Sequence, residues 1–357
     1  MILSITELSD TMNEQNQKII RDVIESMIPT LREESRDGGD SNFSYTQQRA
    51  MINQIWQSTV NEKYSVSSIM LRLIVIDSLY STNAAYSYFS FEEMAQKIYD
   101  LGSKEEYAAK YFDGLVEGKQ DINGLFQSNY GIRKNLEDGS KQMSLMSKYA
   151  YYALLQHPKT YPLGFPIYDS LAIDMYPKVC RKLEIQADNE IKNQNSKITI
   201  ERYIEALSKL RQAIFGVGNL EYQQYDLLDA YLWRMGKLDN GNYSLLFNKE
   251  QYKRFIENIN LNKKSNEDLH KSFPELVSCT TSTKKDGSET KKYKYDFNKL
   301  VRHQCATMEV DDILKNIDNN EHMKELIEHW RSFYRDVLFT KIITKSTYSA
   351  NFEWSNR

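Results

Sequence analysis

Apolar side chains recur at helical rather than alternating spacing along most of this chain, a pattern that predicts a mostly α-helical protein. The most hydrophobic run, residues 66–80, reads VSSIMLRLIVIDSLY. It is apolar almost all round, which predicts a central, buried helix. Residues 144–156 form a second helix-period run. On a helix turning by about 100° per residue, Met143, Met146, Ala150, Ala153 and Leu154 share one face. Lys148 falls on roughly the opposite side, with Tyr151, Tyr152 and Leu155. Those neighbours are too apolar for a wet face. Lys148 is therefore expected to look into a cleft, partly buried beside Tyr152.

Further helices are expected over residues 5–31, 45–60, 89–112, 198–215, 223–235 (ended by Gly236), 247–259 and 310–339. One segment changes period. From Val277 onward Ser and Thr alternate, Lys284-Lys285-Asp286-Gly287 follows, and then Lys291-Lys292-Tyr293-Lys294-Tyr295. Asp-Gly suits a two-residue turn, so residues 277–297 are read as an antiparallel hairpin. Interleaved Lys and Tyr suit a surface that meets phosphates and stacks on bases. The same pattern also fits a charged, solubilising sheet edge.

Between the Lys148 run and the next helix lie Pro158, Pro162 and Pro166. Proline fixes φ and lacks a backbone donor, so this stretch is a loop. Asp169 then stands where an N-cap accepts hydrogen bonds from the opening N–H groups of a helix, and the helix dipole favours its charge.

A Lys-bearing helix, a Pro-rich loop and an Asp-capped helix together resemble the active-site segment of the helix-hairpin-helix (HhH-GPD) DNA glycosylases. The likeness is to the 8-oxoguanine glycosylase branch in a divergent bacterial form, over roughly residues 65–237. It implies an HhH-GPD-like helical core, with Lys148 as amine nucleophile and Asp169 as the essential carboxylate. In that family a buried early helix ends in small polar residues that enter the gap left by a flipped nucleotide. Thr82 and Asn83 match that wedge, although a helix cap explains them too. Asp229 to Trp233 resembles the closing helix of the same group. One departure stands out. The family's Gly-rich, phosphate-gripping hairpin is replaced by Leu136-Glu137-Asp138-Gly139-Ser140-Lys141, with one Gly and two acids.

Composition narrows the picture. A net charge of −3 argues against a general nucleic-acid coat protein but leaves room for a local basic groove. Cys180, Cys279 and Cys305 are far apart, so no metal or iron–sulfur site is readable and no cofactor is expected. No signal peptide or membrane span is read, and a cytoplasmic protein with no membrane partner is the expectation. Three regions are anticipated: an N-terminal helical segment (1–60), a glycosylase-like core (61–240) and a C-terminal accessory region with the basic hairpin (241–357).

The expected chemistry is cleavage of a base–sugar bond in damaged or modified DNA. Asp169 would stabilise a cation-like sugar, and Lys148 would attack the same carbon, with Schiff-base lyase chemistry to follow. Tyr152, Tyr168 and Trp233 are candidates to line a pocket for the flipped base. Lys284, Lys285, Lys291 and Lys292 are candidates to contact the DNA backbone. The extra chain ends suggest a setting in defence against foreign DNA. Two other functions stay open: a non-catalytic DNA-binding module of the same fold, and a helical protein-interaction scaffold.

Overall fold

The computed structural model describes residues 13–26, 45–60, 65–80, 90–101, 143–156, 164–188, 191, 200–216, 224–284, 286–318 and 321–334. Within these the protein is mostly helical, with one two-stranded antiparallel sheet. The chain divides into two compact units, Met1–Gly39 with Phe43–Trp233, and Asp40–Asn42 with Arg234–Arg357. No helix among the described residues is long and apolar enough to cross a membrane.

The regular elements of the first unit, among its described residues, are helices: 13–26, Tyr45–Val60, Val66–Tyr80, Phe91–Leu101, Met143–Leu155, Ser170–Lys182, Ile200–Phe215 and the start of Gln224–Asp239. Its centre is the Lys148 helix, Met143–Leu155. Leu145 to Tyr152 and Leu154 are all buried on it. The expected centre, Val66–Tyr80, instead buries a stripe through Ile69, Leu73 and Ile76, while Leu71 and Ile74 are 45% and 39% exposed. Val66–Tyr80 packs against Tyr45–Val60, Phe91–Leu101 and Met143–Leu155 as a central helix would, but it keeps an exposed side. On the Lys148 helix the polar ends of Ser147, Lys148 and Tyr152 find partners inside the unit, so it tolerates burial nearly all round.

Aromatic packing binds the N-terminal helices into this unit. Trp56 lies 4.9 Å from the Tyr149 ring and 6.1 Å from Tyr152. Arg72 sits 4.6 Å over Trp56. The Arg49 guanidinium pairs with the Asp226 carboxylate and lies 5.0 Å over the Tyr151 ring.

The second unit holds the end of Gln224–Asp239, then helices Lys249–Ile259, Asn266–Ser272, Phe297–Thr307, Val310–Leu314 and 321–334, with strands β1 (Val277–Thr283) and β2 (Glu289–Tyr295). Three expectations need correction. Gly236 does not end its helix, which runs on to Asp239. The stop is Gly241, at φ +68, where a Cβ would come within 2.0 Å of the Asn298 carbonyl oxygen. The helix expected over 310–339 is broken after Leu314, where Asn316 takes φ 66. The hairpin loop is longer than an Asp-Gly turn. Lys284 N–H donates to Ser288 O at 2.8 Å, Gly287 N–H donates to Lys284 O at 3.0 Å, and Gly287 has φ 82. That is the three-residue arrangement with a left-handed Gly closing the turn.

Helices Asn266–Ser272 and Phe297–Thr307, not anticipated, each start at a side-chain cap. Ser265 accepts from Asp268 N–H, and Asp296 accepts from Asn298 and Lys299 N–H. Capping supplies what the short, polar Asn266–Ser272 lacks in periodicity, whereas Phe297–Thr307 also buries Leu300, Val301 and Cys305 at helical spacing.

Candidate active site around Lys148 and Asp169

Lys148 is 3% exposed. Its Nζ donates to Ser144 Oγ, one helical turn earlier, at 2.7 Å, and lies 5.1 Å over the Tyr80 ring. Desolvation drives its pKa below the ordinary 10.5. The charges of Asp169 and, more weakly, Asp229 act in the opposite sense and do not cancel it. The amine is therefore easier to deprotonate than a surface lysine, which is the condition for acting as a nucleophile.

Asp169 has the extended backbone of an N-cap, φ −128 and ψ 138, and its Oδ1 accepts from Leu171 N–H at 2.8 Å. Two hydrogen bonds hold the chain just before it. Tyr168 N–H donates to the buried Ser147 Oγ at 2.9 Å, which ties this segment to the residue next to Lys148. The buried Tyr203 hydroxyl donates to Ile167 O at 2.6 Å. Helices Met143–Leu155 and Ile200–Phe215 thus grip the residues that lead into the cap. Burial raises the Tyr203 pKa, with further upward pushes from Asp229, Asp169 and Tyr168, which keeps the hydroxyl protonated as a donor.

Asp229, 4% exposed on helix Gln224–Asp239, stands out in the sequence only as part of a pattern. The structure makes it the second carboxylate acting on Lys148. Ser144, Ser147, Tyr80 and Tyr203 also belong to the cluster and were missed. Only Ser144 carried a sequence signal, since it stands four residues before Lys148 and so on the same helix face.

The remaining candidates separate. Tyr152 is fully buried, and its hydroxyl meets that of Tyr80 at 2.6 Å. Tyr152 thus joins the Lys148 cluster through the ring beneath the amine. Burial raises its pKa well above 10.0. Tyr168 is half-buried, with its ring 5.0 Å from Tyr203. Trp233 is half-buried one turn beyond Asp229. Thr82, Asn83, the stretch 136–141 and Lys285 lie outside the described residues. Lys284, Lys291 and Lys292 are exposed on the hairpin of the second unit. Its lysines and tyrosines share a surface only in part, since Lys291, opposite Thr281, keeps to the side of Tyr293 and Tyr295. In the observed register Tyr293 and Tyr295 face Cys279 and Val277, whereas Lys292 and Lys294 face Thr280 and Ser278 on the other side of the sheet.

Among the described residues no group of three or more His, Cys, Asp or Glu is arranged to hold a metal ion. The chemistry the site offers on its own is a neutralisable amine and two carboxylates in an aromatic, water-poor environment. No family model, no curated protein and no solved structure matches this chain.

Proposed function

We propose that the first unit is a DNA glycosylase of HhH-GPD type that removes a damaged or modified base, with Lys148 and Asp169 addressing the same sugar carbon. The observation that carries this reading is the buried Lys148 amine, held below its ordinary pKa while the charges of Asp169 and Asp229 reach it. A cation-like sugar between those groups gains from fixed carboxylates, and the low-dielectric surroundings strengthen the interaction. The neutral amine attacks C1′ as the base departs. Ring opening then gives a Schiff base, from which strand cleavage follows.

The test is incubation with duplexes carrying different modified bases, followed by alkali and, separately, by borohydride. Base release appears as alkali-labile strand cleavage. The Schiff base appears as a covalent protein–DNA adduct. Wild type yielding neither product on any base would sink the reading.

A second reading, a DNA-binding module without catalysis, has one observation in its favour. Lys148 as a whole is only 3% exposed, so a substrate must displace what covers it. Duplex binding without abasic product is the outcome this second reading requires.

A further inference from the structure

The hairpin of the second unit has two chemically different faces. Residues opposite one another across an antiparallel pair share a face, and successive residues alternate. The observed register therefore places Val277, Cys279, Thr281 and Thr283 with Tyr295, Tyr293, Lys291 and Glu289. That side meets helix Asn266–Ser272. His270 Nδ1 is 2.6 Å from Val277 O and its ring lies 5.9 Å from that of Tyr293, while Tyr295 Oη donates to Asn266 Oδ1 at 3.2 Å. Lys271 and, more weakly, Lys291 hold the Glu267 carboxyl below its ordinary range. Lys291 therefore already faces an acid.

The other face carries Ser278, Thr280 and Ser282 opposite Lys294, Lys292 and Thr290. The Lys284 N–H to Ser288 O bond extends it by one more pair. All eight of these residues are exposed. They are three lysines and five hydroxyl residues, with no acid and no apolar side chain among them. The nearest acid on the hairpin itself, Asp286, is turned onto Ser288, accepting from its N–H at 2.9 Å and its Oγ at 2.6 Å. Ser278 and Thr280 hydroxyls donate across the pair to the Lys294 and Lys292 carbonyls at 3.0 and 3.3 Å. Those cross-braces stiffen a two-stranded element that is marginal alone. The ammonium groups are left as the donors to a ligand.

We propose that this Lys284/Lys292/Lys294 face docks on the phosphate backbone of duplex DNA, without reading sequence. It spans about 20 Å from Ser278 to Lys284, at about 3.4 Å per residue. Positive charge without acids matches a polyanion. The aromatics lie on the opposite face, so there is no platform for the stacked bases of a single strand. No apolar side chain is present to enter a lipid interface. The proposal rests on the reading of DNA as the partner, and it narrows the contact to one face. Lys294 enters the contact set and Lys291 leaves it.

The experiment measures binding of the full chain to a short labelled duplex of ordinary bases across a salt series, by fluorescence anisotropy. Lys284→Gln/Lys292→Gln/Lys294→Gln is compared with Lys291→Gln, and thermal melts confirm that both variants fold. Each lost phosphate contact lowers the slope of log affinity against log salt by about 0.9, so the triple variant is expected to lose as much as roughly 2.7. Lys291→Gln is expected to leave the slope unchanged. An unchanged slope in the triple variant overturns the proposal, as does a loss in Lys291→Gln equal to the per-lysine loss of the triple. So does face-dependent binding to single strands or to phosphatidylserine vesicles with none to duplex. The readout needs no base release. Face-dependent duplex binding, with no abasic product on any modified base, would sink the glycosylase reading alone. Base release with an unaltered slope in the triple variant would sink this one alone.

Discussion

Lys148 and Lys292 show how placement sets what a lysine does. Lys148 stands in the middle of the first unit, over the Tyr80 ring, bonded to Ser144, with two carboxylates acting on it. Burial makes its charged form costly and its neutral form accessible, so it has the properties of a nucleophile. Lys292 stands on an open sheet face among hydroxyls. It keeps its hydration and its flexible stem, and acts as a point charge for an anion. The difference lies in what the fold packs around each residue. The polar groups of the first unit are locked by buried bonds such as Tyr203 to Ile167, while those of the hairpin brace one another at the surface.

The largest expected effect falls on Asp169. Asp169→Asn keeps the shape and an acceptor for Leu171 N–H but removes the charge. Base release should fall roughly 100- to 1,000-fold, as when one preorganised electrostatic group is lost, with little change in the thermal midpoint. A variant that melts early yet keeps its specific activity would make Asp169 a cap and nothing more.

Lys148 supplies the next contrast. Lys148→Gln should abolish the borohydride-trapped adduct. Its burial also predicts a pH signature. Between the lowered folded pKa and the ordinary 10.5, the unfolded chain holds a proton that the folded chain lacks, so stability rises with pH through that window. Below the window the amine is protonated in both states and the burial cost is present in full. Lys148→Met removes this titration. Its stability relative to wild type should therefore be greatest below the window and decline toward about pH 10.5. Urea midpoints across that range read the trend, and a flat difference would mean the amine is better hydrated than its burial implies.

Smaller still is Tyr203→Phe, which leaves the buried Ile167 carbonyl without its donor and should cost about 1–3 kcal/mol in chemical unfolding. Because that bond holds the approach to Asp169, kcat is expected to drop while duplex affinity stays level. The smallest effect is on the hairpin. Lys292→Gln removes an exposed charge and should leave the unfolding midpoint where it is. A clear destabilisation there would erase the contrast between the two lysines.

Much of the local structure was legible in the sequence. The helix over 45–60 follows from its apolar spacing, and Asp169 appears as an N-cap because a short acceptor follows a proline loop. The hairpin follows from alternation around a Gly-bearing turn. Each of these depends on neighbours in the chain, and local propensity carries that information. Long-range placement decided the rest. Which of two apolar helices is buried nearly all round depended on partners for the polar ends of Tyr152 and Ser147. Those partners, the Tyr80 hydroxyl and the Tyr168 backbone, come from distant segments. Gly241 rather than Gly236 ends its helix: it takes φ +68 against the Asn298 backbone, where a Cβ would not fit. Asp229 and Tyr203 join Lys148 and Asp169 through helix packing that spacing along one segment does not encode. The two faces of the hairpin depend on strand register, where a shift of one residue would move every lysine to the other side.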